Sequence, residues 1–305
     1  MRDAFVKELE KLAETNDKLV LLSGDIGNRM FDRFKAAHPE RFYNCGIAEA
    51  NMASVAAGLA LEGFIPVIYT IAPFATTRCL EQIKIDLCYH NLHVIIAGTG
   101  AGLSYAPLGP THHSAEDIAI LRVMPNMRVL CPCDATETRL ALAAAVNSHG
   151  PAYLRLGKKG EPVIFPEPYS FAIGNPTPVI DGKDVCLLGI GNTVPQCLEA
   201  AKMLENEGIS AAVYSYHTVK PQNEEFLKDI FSKFKKVCTV EEHFLAGGGG
   251  SSVAEWLADS GISGAKLIRC GIDDTFMKTT GSQSYAHGLF GLDSETIRKR
   301  ILGGK

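Results

Sequence analysis

The chain repeats one pattern along its 305 residues: a short, continuously apolar run, a stretch of helical spacing, then another apolar run. The first series comprises LVLLSG (Leu19–Gly24), PVIYT (Pro66–Thr70), HVIIAG (His93–Gly98), MRVLCP (Met127–Pro132) and AYLRL (Ala152–Leu156). Helical patterns lie between them at Ala48–Leu61, Thr77–His90, Ala115–Arg122 and Ala135–Ser148, the last preceded by the capping chemistry of Asp134 and Thr136. A strand with one wet face alternates apolar and polar residues. Unbroken apolar strands separated by helices instead predict a parallel sheet covered on both faces.

Composition then shifts. Lys158–Pro178 is rich in Pro and Gly and holds no period, which marks an interdomain crossing. A second series follows, with strands at Val185–Ile190, Ile209–Tyr216, Lys236–Glu242 and Ala265–Cys270. Helices are expected at Thr193–Glu207, Asn223–Lys233, Ser252–Ala258 and Ser294–Leu302, with Ser294 as cap. The expected fold is therefore α/β, with two doubly wound domains. A parallel-sheet domain spans 1-157, a linker 158-178, and a smaller α/β domain 179-305.

A net charge of -4 gives no basic footprint for nucleic acid. No apolar run approaches the roughly 20 residues of a membrane span, and the N-terminal stretch has helical spacing (Phe5, Val6, Leu9, Leu12, Ala13) instead of a signal-peptide pattern. The expectation is a cytoplasmic chain without membrane or nucleic-acid partners. The nine cysteines are odd in number and scattered, so they read as buried, reduced thiols. Cys131-Pro-Cys133 is the only close pair and lacks the second cluster that a zinc site needs, so no metal is assigned to this chain.

Several motifs are incomplete. SGDIGN (Ser23–Asn28) begins like half of a thiamine-diphosphate metal motif, but Ile26 stands where Gly is required. The Asn at the right spacing, Asn51, falls on a helix, which leaves Asp25 a cap or interface role. AGTGAG (Ala97–Gly102) and GIGN (Gly189–Asn192) follow strands, yet neither completes a dinucleotide fingerprint. GGGGSS (Gly247–Ser252) lies between a strand and a helix and reads as a tight turn.

The chemistry concentrates elsewhere. In YNCGIAEANM, Glu49 stands at the mouth of a small-residue helix, where an unpartnered carboxylate would cost several kcal/mol. First-turn placement near the helix dipole is the plain alternative. Phe74 follows the strand PVIYT with a face free to stack on a ligand, Arg78 opens the next helix, and GLSYAPLGPTHHSAED carries adjacent His112 and His113.

In order and spacing these segments resemble the transketolase family, specifically its pyrimidine-binding and C-terminal domains. The resemblance rests on GIAEANM, PFATTRCLEQI, GPTHHSAED, RVLCPCDATET, PAYLRLGKKG, HTVKP and EEHFLAGGGGSSVAE, and covers nearly the whole chain. It implies thiamine diphosphate as cofactor. Glu49 would hydrogen-bond N1′ of the aminopyrimidine and favour the imino tautomer, whose 4′ nitrogen removes the thiazolium C2 proton. Phe74 would stack on that ring, and Arg78 is placed with the cofactor contacts, although a helix-start Arg also stands to bind substrate or pair with an acid such as Glu81. His112 would carry protons or meet a substrate hydroxyl, with His113 beside it in the substrate set. Arg155 and Lys158 follow the fifth strand, where they would clamp a substrate phosphate; solvated surface charge is the plain alternative.

The family's diphosphate and magnesium domain has no counterpart here. The resemblance thus implies the C-terminal subunit of a split enzyme, with Mg2+ held by a separate N-terminal subunit and a heterotetrameric assembly. The expected reaction transfers a two-carbon ketol unit between sugar phosphates. Gly98-Thr99-Gly100 and Leu108 stand where the family keeps a His and an acid that read sugar hydroxyls, so donor and acceptor stay open. A 2-oxo acid dehydrogenase beta subunit, a deoxyxylulose-phosphate-synthase-like enzyme and a non-catalytic assembly subunit are the alternatives.

Overall fold

The computed structural model describes residues 1–27 and 29–304; Asn28, the end of the SGDIGN stretch, and Lys305 lie outside the described residues. In chain order the strands are β1 (Leu19–Ser23), β2 (Phe42–Asn44), β3 (Ile65–Ile71), β4 (Ile95–Thr99), β5 (Arg128–Leu130), β6 (Ala152–Leu156), β7 (Thr177–Ile180), β8 (Val185–Ile190), β9 (Ala211–Ser215), β10 (Thr218–Lys220), β11 (Lys236–Phe244) and β12 (Lys266–Ile272). They form a seven-stranded sheet in the order β10-β5-β6-β4-β3-β1-β2 and a five-stranded sheet in the order β12-β11-β8-β9-β7. Neighbours run parallel except β10 against β5 and β7 against β9.

Unbroken apolar strands fit this arrangement because each divides its residues between two cores. Leu19 and Leu21 of β1 join a cluster with Phe5, Leu9 and Leu142 from the helices Arg2–Thr15 and Ala135–Val146. Val20 and Leu22 join another with Met52, Ile83 and Leu87, which continues into Cys186, Leu188 and Tyr216 of the second unit. A third cluster closes the other face of the second sheet with the helices Val194–Glu205 and Ser294–Leu302.

The departures from expectation have local causes. Strand β10 crosses from the second half of the chain to pair Thr218 with Leu130 in the first sheet, so the HTVKP segment belongs to both units. Strands β2 and β10 are three residues each and carry no readable period. Strand β7 starts at Thr177, inside the last residues of the expected linker. The Thr77–His90 segment is not one α-helix: a 3-10 turn (Thr77–Cys79), an α-turn (Leu80–Gln82) and a π-helical stretch (Ile83–Tyr89) follow one another. The last helix is capped by Asp293, which accepts from the Thr296 N–H, and Ser294 is its first helical residue. Asp134 caps Ala135–Val146 as expected. The helix Gln283–Phe290 had no strong sequence signal.

All nine cysteines are free, and Cys131 and Cys133 are fully buried. Among the described residues no helix is long and apolar enough to cross a membrane.

Candidate active site

The site is assembled at the carboxyl ends of the parallel strands of the first sheet, where open α/β sheets bind ligands. Asn44 ends β2, donates to the Asp25 carboxylate at 2.8 Å and accepts from the Gly46 N–H at 2.9 Å. That brace sets the turn into the helix Glu49–Leu61 and gives Asp25 its role. Ala48 at the N-cap offers no side-chain acceptor, so the first-turn N–H groups favour the charge of Glu49, which is 3% exposed.

Arg78, from the 3-10 turn after β3, donates through Nη1 to both Glu49 oxygens, at 3.0 and 3.1 Å. Its guanidinium carbon stands 3.7 Å from the centre of the Phe74 ring. The partner of Arg78 is thus Glu49, and Glu81 is exposed. Phe74 sits in the short helix Ala72–Ala75 directly after β3. His112 follows it, with ring centroids 5.4 Å apart, and Tyr105 lies 6.1 Å beyond His112. The Lys158 ammonium covers the Tyr105 ring at 4.7 Å. Glu49, Arg78, Phe74, His112, Tyr105 and Lys158 form one continuous row. It carries a buried carboxylate at one end and an accessible cation at the other.

Two expected site residues lie outside this row. Arg155 is inside β6, not beyond it, and its guanidinium is consumed: Nε donates to Asp117 at 2.8 Å, and Nη2 to the carbonyls of Ser114 and Glu242. Burial is the largest single effect and would discharge it, but the charge and hydrogen bond of Asp117, with Cys131 and Tyr153, together outweigh burial and raise its pKa. Side chains two positions apart on a strand share a face, and at Arg155 that face is packed. His113 turns away from His112 and lines a pocket with Phe244, Met277 and Phe290 on the seam with the second unit. Burial lowers its pKa, and its Nε2 has no partner among the described residues.

The glycines of AGTGAG answer to close packing instead of a phosphate. Gly100 has φ +74, and a Cβ there would meet the Tyr105 ring at 1.8 Å; Gly102 has φ +62, and a Cβ would meet Glu242 Oε2 at 2.4 Å. GGGGSS is only in part the expected turn: the helix Gly249–Asp259 already begins inside it, and its first N–H groups, of Gly249 and Gly250, donate to Glu241 at 2.8 and 2.9 Å. Sequence reasoning passed over Tyr105 although it lies in the quoted loop. It also passed over Glu242, whose partners come from distant segments.

Residues 1–161 match the family model described as transketolase, pyrimidine binding domain, and residues 177–297 the one described as transketolase, C-terminal domain. The chain belongs to the transketolase family. A Methanocaldococcus jannaschii protein named for the transketolase C-terminal section is 37% identical over 99% of this chain and 95% of its own length. A Phocaeicola vulgatus protein, named as one subunit of an apulose-4-phosphate transketolase, is 34% identical over 99% and 96%. A solved structure described as a split gene transketolase, inactive beta4 tetramer, superposes with a TM-score of 0.90 at 38% identity, over 99% of this chain and 97% of that one. Transketolase-family domains imply dependence on thiamine diphosphate. The residues present fit its aminopyrimidine. Arg78 is itself a planar group that donates N–H bonds to Glu49 and sits over the face of Phe74 at 3.7 Å, the two contacts such a ring requires.

Proposed function

We propose that this chain is the C-terminal subunit of a split transketolase-like enzyme, working in the cytoplasm, that transfers a two-carbon ketol unit between sugar phosphates. The carrying observation is the row from Glu49 to Lys158, which joins a ring-binding end to a cationic end. When bound, thiamine diphosphate supplies the carbanion chemistry, and the protein supplies orientation and proton control. Glu49 would hydrogen-bond the ring nitrogen and Phe74 would fix the plane of the ring, while Arg78, which makes both contacts in the free chain, would yield them to the ring. His112 stands next to Phe74 to move a proton at the substrate oxygen. Lys158 offers an ammonium to the substrate phosphate, and Tyr105 holds that ammonium in place through its ring face.

We assign the diphosphate contacts and the Mg2+ ligands to a separate N-terminal subunit and the active form to a heterotetramer. Among the described residues no group of three His, Cys, Asp or Glu stands together to hold a metal. The near full-length match to a relative named as one transketolase subunit, and the likeness to a structure described as an inactive beta4 tetramer, support this division.

The test is co-purification with the partner chain and a donor screen with thiamine diphosphate and Mg2+. Ketose phosphates, apulose 4-phosphate among them, should be cleaved by the pair and not by this chain alone. Pyruvate decarboxylation would move the assignment to a 2-oxo acid dehydrogenase or synthase reaction. Turnover by the isolated chain would remove the partner. A pair that tolerates Glu49→Gln would be a scaffold and not an enzyme of this kind.

A further inference from the structure

The loop that carries Tyr105 and His112 is closed at its base by two hydrogen bonds, Gly102 N–H to the Ser114 carbonyl at 3.1 Å and Ser114 N–H to the Gly102 carbonyl at 3.0 Å. Inside it, the backbone bonds are local turns: Ala106 to Leu103, Leu108 to Tyr105, Gly109 to Ala106, and His112 to Gly109. Nothing in those turns fixes the loop against Phe74. Its register is set at the base, and the group that grips the base comes from the other unit of the fold.

That group is Glu242, on β11. Its Oε2 accepts from the Leu103 N–H at 2.8 Å and lies 3.3 Å from Asn192 Nδ2. Its Oε1 accepts from Gln283 Nε2 at 2.6 Å and pairs with His287 Nε2. The Glu242 carbonyl accepts from Arg155 Nη2 at 2.9 Å, and the same nitrogen holds the Ser114 carbonyl at 3.0 Å. One residue therefore reaches Leu103 directly and Ser114 through Arg155, so both legs of the loop are held. The approach is so close that only glycine fits at position 102.

A carboxylate buried to 0% exposure is a poor device for stability alone, since an apolar group of similar shape would avoid its desolvation. Burial by itself would raise its pKa, but the hydrogen bond and charge of His287, with the Leu103 N–H and Gln283, outweigh burial and hold the carboxyl below its usual range. What such a network does well is to specify one geometry.

We propose that Glu242 is a positioning residue: held by Gln283 and His287 of the C-terminal domain, it clamps the base of the Gly102–Ser114 loop and so places His112 and Tyr105 against Phe74. This assigns the C-terminal domain a part in the reaction without a substrate contact of its own. It rests on the reading of His112 and Tyr105 as the substrate side of the site.

The experiment uses Glu242→Gln and, as a milder cut at the edge of the network, Gln283→Ala. Hydrogen–deuterium exchange on the full chain reads loop order whether or not the enzyme turns over. Amides of residues 103–114 should exchange about tenfold faster or more in both variants, with residues 49–61 unchanged. In the co-purified pair, kcat should fall by roughly ten- to a hundredfold, as expected for a catalytic group displaced by about 1 Å. Affinity for thiamine diphosphate should stay within about twofold of wild type, because Glu49 and Phe74 are untouched. Unchanged exchange at residues 103–114 overturns the clamp, as does a loss of cofactor affinity in step with kcat, which marks a general structural role. If Glu242→Gln does not fold, Gln283→Ala carries the same criteria. If the wild-type pair transfers no ketol unit, the proposed function fails while the exchange data still decide the clamp.

Discussion

Arg78 and Glu49 meet end-on, one guanidinium nitrogen 3.0 and 3.1 Å from the two carboxylate oxygens, with the acid 3% exposed and the Arg side chain 47% exposed. The acid is committed to its place by the fold, while the base is free to leave. In the cofactor-free chain the two should couple. Removing Arg78 alone strands a buried charge, whereas removing both charges does not. A double-mutant cycle with Glu49→Gln and Arg78→Gln, read by urea unfolding, should give a coupling energy of about 1–2 kcal/mol, reduced from buried-pair values because Arg78 faces solvent. A cycle that closes within about 0.3 kcal/mol of zero would make the contact incidental.

Arg155 and Lys158 lie three positions apart and should fail in opposite ways. Arg155→Met leaves Asp117 buried at 0% exposure without its counter-charge and should destabilise the chain by about 3–5 kcal/mol. Lys158→Met removes a partly exposed ammonium resting on Tyr105. It should leave thermal stability unchanged and raise KM for phosphorylated substrates by roughly tenfold, the loss of one charge-assisted hydrogen bond. A non-phosphorylated analogue should show no such difference. Equal destabilisation by both substitutions would mean that the two cations share one structural role.

His112 and His113 offer a similar contrast within one dipeptide. His112→Asn should lower kcat of the co-purified pair by about a hundredfold or more, the usual contribution of a positioned proton carrier, and leave the melting temperature alone. His113→Asn, in its pocket with Phe244 and Phe290, should shift the melting temperature and spare kcat. A His112 variant with normal kcat would take the proton-transfer role from this residue.

Much of this arrangement is legible in the amino-acid sequence, and the reason is burial. Strands such as β3 and β4 are covered on both faces, so their residues are mostly apolar, without polar alternation, and stand out from the helices between them. Glu49 is conspicuous because a carboxylate among Ala, Gly and Leu contradicts its surroundings. The chain does not advertise contacts that are cheap in sequence and distant in space. Strand β10 is three residues long and finds its partner in a sheet formed by the first half of the chain. The Glu242 network draws Leu103, Asn192 and, from one helix, Gln283 and His287, three segments far apart in sequence that no local pattern links. Arg155 misleads because a cation near a strand end looks accessible until the neighbouring Asp117 is placed in space.

His217, in the HTVKP segment, is held as a neutral ring and should make the chain acid-sensitive. It is 1% exposed, with Nε2 2.8 Å from the Asn175 carbonyl and Nδ1 2.8 Å from the Thr218 hydroxyl. The neutral tautomer satisfies both, Nε2–H donating and Nδ1 accepting. Burial is the largest effect and pushes its pKa down to about 4, against the smaller opposing pull of the Asn175 carbonyl. Above the ordinary imidazole value of about 6.5, folded and unfolded states are both neutral and the residue adds no pH dependence. Between that value and about 4 the unfolded chain takes up a proton that the folded chain refuses, so stability falls as pH falls, by up to about 1.4 kcal/mol per pH unit. Below the folded value both states are protonated and the loss levels off. Urea unfolding of wild type and His217→Asn should therefore show a stability difference that shrinks by about 2 kcal/mol between about pH 7.5 and about pH 5. Carboxylates titrating in the same range cancel in that difference. A difference that stays constant with pH would mean that the ring accepts its proton in place, and that the β10 crossover is not guarded by a neutral imidazole.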